Sequence, residues 1–164
     1  MRSKYILLFI ISFIFIFGCK KEIQEYESLD SFTVEYEMNS GWTGYSFKAM
    51  LNQHGNLKIN EIIALNHQQR ESAFTIQPTD LLMVKEKLNA LIRIEPKDKY
   101  GFDISVAPPE LPVKKLNFET NLRTDSVAFH FLEEKEMPVE LYSFLESYLE
   151  IIAKYDTLHY SSSN

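Results

Sequence analysis

From Phe32 onward, apolar and polar positions alternate along the chain. Phe32, Val34, Tyr36 and Met38 interleave with Thr33, Glu35 and Glu37, a period of two that predicts a strand with one buried face. Asn39-Ser40-Gly41 supplies a turn. Tyr45, Phe47, Ala49 and Leu51 then alternate with Ser46, Lys48 and Met50 in a second strand. His54-Gly55-Asn56 is a hairpin connection in which Gly55 can take positive φ. A third strand covers residues 57–65, and its apolar parity shifts at Glu61-Ile62, which predicts a bulge there. A short fourth strand is expected at 72–76, after a polar turn at 66–70.

The period then lengthens. Gln77-Pro78-Thr79-Asp80 has the composition of a helix start, with Thr79 as expected N-cap and Asp80 favourably placed against the helix dipole. Leu81, Val84, Leu88 and Leu91 follow at spacings of 3, 4 and 3, one buried stripe of an amphipathic helix that Pro96 should end. The second half repeats the order loosely. A short strand is expected at 102–106, a rigid Pro-rich connection at 107–112, and a hairpin of strands at 113–120 and 126–132 with Val127, Phe129 and Phe131 on one face. Pro138 suits a first helical turn, and Leu141, Phe144, Tyr148, Ile151 and Tyr155 recur at spacings of 3, 4, 3 and 4. The fold class that follows is α+β: an antiparallel sheet with two amphipathic helices packed on one side. No internal repeat is strong enough to indicate a duplication.

The first residues follow a different pattern. Arg2 and Lys4 precede thirteen residues, 5–17, that are apolar apart from Ser12 and the Tyr5 hydroxyl. That run is short of the roughly 20 residues a spanning helix needs, and it suits the core of a secretory signal peptide. Ile16-Phe17-Gly18-Cys19 follows, and it resembles the lipobox of bacterial lipoproteins: aliphatic residue, variable position, small residue, cysteine. Phe17 is bulkier than that family's usual occupant. The resemblance implies a signal peptide over 1–18 and cleavage before Cys19. It also implies diacylglycerol on the Cys19 thiol and acylation, such as palmitate, of the new amino terminus. Lys20, where an Asp would favour retention at the inner membrane, implies sorting to the outer membrane. Two or three acyl chains make a durable anchor, whereas one binds only marginally. Residues 19–31 are mostly polar and form the expected flexible tether, leaving one domain over 32–160 and a frayed tail.

A second, less specific resemblance covers residues 32–92. Gly41-Trp42-Thr43-Gly44, an alternating strand, a glycine hairpin and Ile76-Gln77-Pro78-Thr79-Asp80-Leu81 are similar to a group of small bacterial envelope domains with no assigned activity.

Composition narrows the chemistry. The 164 residues carry 17 Lys+Arg against 23 Asp+Glu, a net charge of −6; without Arg2 and Lys4 the count is 15 against 23, or −8. That balance argues against nucleic acid as a partner. The single cysteine cannot form an internal disulfide or a multi-thiolate metal site. Histidines 54, 67, 130 and 159 have no zinc-ligand spacing, and His130 and Glu134 would lie about 13 Å apart on a strand. With 5 Gly there is no phosphate loop, and no Gly-x-Ser-x-Gly elbow occurs; a dispersed set such as Ser46, His130 and Asp103 is available in any chain of this length. Glu133, Glu134 and Glu136 cluster and Glu35 and Glu37 share a strand face, which suits solubility and edge protection.

No cofactor, metal or catalytic residue is therefore expected. Two features suit binding. Trp42 lies in a turn between glycines, as an interface anchor or as a ring folded over the sheet edge. Tyr100, Phe102 and the 108–112 segment offer an aromatic rim, with a structural crossover as the simpler reading. The functional expectation is a cell-envelope lipoprotein, membrane-bound through its lipid, that binds or scaffolds, with an envelope protein as partner. The alternatives are a lipid-anchored immunity or inhibitor protein and an enzyme of unrecognised type.

Overall fold

The computed structural model describes residues 28–40, 43–64, 68–101, 112–130 and 136–157. Among these residues seven strands form one sheet: β1 (Phe32–Ser40), β2 (Tyr45–Asn52), β3 (Asn56–Ile63), β4 (Gln68–Thr75), β5 (Lys99–Tyr100), β6 (Val113–Thr120) and β7 (Thr124–Phe129). Their order is β4-β3-β2-β1-β6-β7-β5, antiparallel throughout except for the parallel pair of β5 with β7. Among the described residues two helices, α1 (Pro78–Leu91) and α2 (Val139–Tyr155), pack with this sheet, and the fold is α+β as the alternation implies.

Alternation fixes which side of the sheet the helices cover. Val34, Leu51, Leu57, Phe118 and Val127 point one way and are buried against Leu88, Leu91, Leu141, Phe144 and Tyr148 from the helices. At the centre, Tyr148 is fully buried and its hydroxyl donates a shared hydrogen bond to the carbonyls of Val34 and Ala49, 3.2 Å from each. An aromatic ring fits a dry core only if its polar tip finds such a partner. The helices are pinned to each other at one corner. Asp80, in the first turn of α1, accepts bonds from Lys154 at 2.9 Å and from the Tyr155 hydroxyl at 2.7 Å.

Four details depart from the sequence expectation. The β3–β4 register runs without interruption from Asn56↔Thr75 to Ile63↔Gln68, so no bulge forms at Glu61-Ile62. Instead Glu61 faces the helices and Ile62 is 41% exposed. β4 starts at Gln68, inside the expected turn, because its Gln-rich stretch needs only β3 as a partner. The N-cap of α1 is Gln77 rather than Thr79, with Pro78 in the first turn, where its missing N–H costs nothing. The helix also ends at Leu91, five residues before Pro96: Ile92 closes it, and Arg123 binds the Ile92 and Ile94 carbonyls at 3.1 and 2.6 Å. The strand expected at 102–106 lies outside the described residues.

Candidate functional site

The face of the sheet that the helices leave uncovered is the candidate site. Reading across it, one row runs Ser126, Asn117, Glu35, Met50, Lys58 and Ala73. The neighbouring row runs Ala128, Lys115, Glu37, Lys48, Asn60 and Glu71. Strand pairing places these side chains about 5 Å from their cross-strand neighbours, within reach of one another. A connected polar line results. Ser126 Oγ donates to Asn117 Oδ1 at 2.7 Å, Asn117 Nδ2 donates to Glu35 Oε1 at 3.1 Å, and Lys48 Nζ bridges Glu35 at 2.7 Å and Glu37 at 3.1 Å.

This line shifts its own ionisation. Partial burial raises the Glu35 pKa, but the hydrogen bonds from Lys48 and Asn117 outweigh it and hold the carboxyl below its ordinary value of 4.5. The hydrogen bond to Glu35 in turn raises the Lys48 pKa. Both groups therefore stay charged across the physiological range, which suits a fixed electrostatic pattern better than proton transfer.

Two shallow depressions flank the line. One, of about 470 Å³, is lined by Lys48, Met50, Lys58, Asn60, Glu71 and Ala73. Its floor holds Asn60 Oδ1, a buried acceptor with no hydrogen-bond partner among the described residues. The second, of about 290 Å³, lies beside Thr33, Glu35, Asn117, Glu119 and Thr124. With lysines, carboxylates and a carboxamide acceptor around an apolar floor, this surface can pair with mixed-charge and amide groups.

The opposite face carries a second ionic cluster at the β3–β4 edge. Arg70 forms an ion pair with Glu61 at 3.2 Å and donates to Asp156 at 2.5 Å, and the Tyr45 hydroxyl donates to Glu61 at 3.0 Å. Asp156 is 2% exposed and caps the C-terminus of α2, where the helix dipole disfavours a negative charge, so Arg70 is its required counter-ion. Burial, then the Glu61 charge, raises the Tyr45 pKa strongly. Lys114 also faces the helices, opposite Met38 and Phe129, and burial lowers its pKa.

The sequence-derived sites fare unequally. Cys19, its lipobox partners Ile16, Phe17 and Gly18, and the aromatic residues Trp42 and Phe102 all lie outside the described residues. Tyr100 is corrected: it is 7% exposed, because pairing of β5 with β7 turns its ring into the core. Its hydroxyl accepts the Lys97 N–H at 2.8 Å, so it forms no exposed rim. His130 Nδ1 lies 3.4 Å from the Pro112 carbonyl, and Ser46 Oγ donates to Asn39 at 2.8 Å. Among the described residues no group of His, Cys, Asp and Glu has the arrangement of a metal site.

The last four residues of the expected tether, 28–31, are held rather than free. Asn121, in the β6–β7 turn, accepts the N–H groups of Asp30 and Ser31 on its Oδ1 at 3.0 and 3.3 Å. Its Nδ2 donates to the Ser28 carbonyl at 3.0 Å, and its backbone N–H donates to the Ser31 carbonyl at 3.1 Å. Parity in the sequence contained the open-face line, since Glu35, Lys48, Lys58 and Asn117 all occupy outward positions. It did not mark them as a connected set, because connection depends on the strand order across β1 and β6. No protein-family model matches the chain, and no curated protein is significantly similar to it.

Proposed function

We propose that the protein is a cell-envelope lipoprotein, anchored through Cys19, that acts by binding or scaffolding on the uncovered face of its sheet. The observation that carries the anchor is the register of basic start, short apolar run, Gly18 and Cys19. Support for the binding surface comes from the Ser126–Asn117–Glu35–Lys48–Glu37 line and from the unpartnered Asn60 acceptor beside it. A folded partner of the envelope with its own alternating charges fits that surface.

Photo-crosslinking in intact cells tests this reading. A photoreactive residue placed at Asn60 or Lys58 is expected to give one discrete adduct. The same residue at Glu86, exposed on α1, is expected to give none of that mass. Equal adducts from both faces, or none from the sheet face, would contradict the binding surface.

A further inference from the structure

We infer that the domain stands on the bilayer by one end of its sheet, the end that carries the β2–β3 hairpin at Gln53–Gly55 and the β6–β7 turn at Asn121–Arg123. The strands then rise away from the lipid, and the uncovered sheet face is turned sideways along the membrane. This orientation rests on the proposed Cys19 anchor and specifies what that anchor does with the domain.

The argument starts from where the chain leaves the fold. Ser28–Ser31 run beside the β6–β7 turn, where Asn121 grips them through four hydrogen bonds that use its carboxamide and its backbone N–H. The Gln53 N–H donates to the Phe32 carbonyl at 3.0 Å, which ties the β2–β3 hairpin to the same place. Helix α1 begins and ends at this end too. The Ile76 N–H bonds the Gly55 carbonyl at 2.9 Å just before it, and Arg123 holds the carbonyls just after it.

Chain length converts that exit point into an orientation. Eight residues, 20–27, separate Cys19 from Ser28, and the nine steps from Cα to Cα reach no more than about 30 Å at full extension. β1, nine residues long, spans about 30 Å from this end to Ser40 at the other. To bring the Ser40 end to the lipid, the whole connecting segment would have to be pulled straight, at a large loss of chain entropy. If residues 28–31 were free, thirteen such steps would reach about 45 Å and inversion would be easy. Asn121 is therefore the residue that gives the domain a bottom.

Energy transfer to the lipid surface tests this with the full chain, extracted from membranes in detergent and reconstituted in phosphatidylethanolamine–phosphatidylglycerol vesicles that carry acceptor-labelled headgroups. Single cysteines replace His54 at the proposed base (His54→Cys) or Asn39 at the opposite end (Asn39→Cys), each labelled with a maleimide donor. The expected result is several-fold greater transfer from position 54 than from position 39. In a second expected result, Asn121→Ala narrows that difference in both labelled chains. Equal or reversed transfer, with one donor bound per chain, would overturn the orientation while leaving the anchor intact. Two donors bound per chain would mean that the Cys19 thiol is free, and would overturn the anchor and the orientation with it.

Discussion

Two ionic clusters lie on opposite faces of the same sheet, and they behave as different kinds of object. On the uncovered face, Lys48 sits between Glu35 and Glu37 with its side chain 45% exposed. On the covered face, Arg70 sits between Glu61 and Asp156, whose side chain is 3% exposed. Each places one cation between two carboxylates. Water decides the difference. An exposed trio is screened and contributes little to stability, so its persistence suits a surface pattern presented to a partner. The covered trio is drier, with Glu61 14% and Asp156 3% exposed against 28% for Arg70, so breaking it costs more and it locks the end of α2 onto the β3–β4 edge. The same motif is thus architectural on one side of the sheet, and on the other it forms the surface to which the proposed function assigns recognition.

That contrast orders the expected effects of substitution. Tyr148→Ala, in the centre of the core, should cost about 3–5 kcal/mol in denaturant unfolding, through the cavity and the lost hydroxyl bond. Asp156→Asn comes next at about 2 kcal/mol, because it leaves the partly buried Arg70 with half of its counter-charge. A double-mutant cycle with Arg70→Met should show strong coupling there, and its absence would erase the distinction between the clusters.

Glu35→Gln should cost less than about 1 kcal/mol at pH 7. Its signature is in acid instead. The folded carboxyl titrates below its ordinary 4.5, so its contribution is complete above that pH and is lost as pH falls through the lowered value. Stability against pH should therefore be flatter below about 4.5 in the variant than in the native chain. The smallest effect belongs to Ile62→Thr. An exposed residue on an uninterrupted strand should change stability by no more than about 0.5 kcal/mol. A bulge that turned Ile62 inward would raise that to roughly 2 kcal/mol or more, so this substitution reads the register directly.

Ile62 also shows how far the sequence could be read. Periods of two and of 3.6 placed the strands at 32–38, 45–51 and 113–120 and both helix stripes, because burial on one face forces those spacings. The stripe of α2 held at Leu141, Phe144, Tyr148 and Ile151, while Leu145 and Ile152 widened it into a broader buried face. The misreadings cluster where charge goes inward. Glu61 breaks the apolar parity of β3, and the sequence alone offers no sign that Arg70 and Asp156 wait opposite it, 86 residues apart along the chain. A parity break in sequence resembles a change of backbone geometry, although here the backbone is regular and the side chain is the exception. Tyr100 shows the reverse: Tyr-Gly-Phe near prolines has the composition of an exposed rim, yet a two-residue pairing with β7 buries the ring, as the simpler structural reading has it. Asn121, a commonplace turn residue, acquired its role only through contact with a segment some 90 residues away.

The anchor is the claim on which location, orientation and the use of the open face all depend. Its most direct test is the mass of the amino-terminal peptide from native chain extracted from membranes. The account predicts a peptide that begins at Cys19 and is heavier by a diacylglycerol and an acyl group, with Cys19→Ser yielding no such species. An amino-terminal peptide that retains residues 1–18, or one that begins at Cys19 with an unmodified thiol, would contradict it.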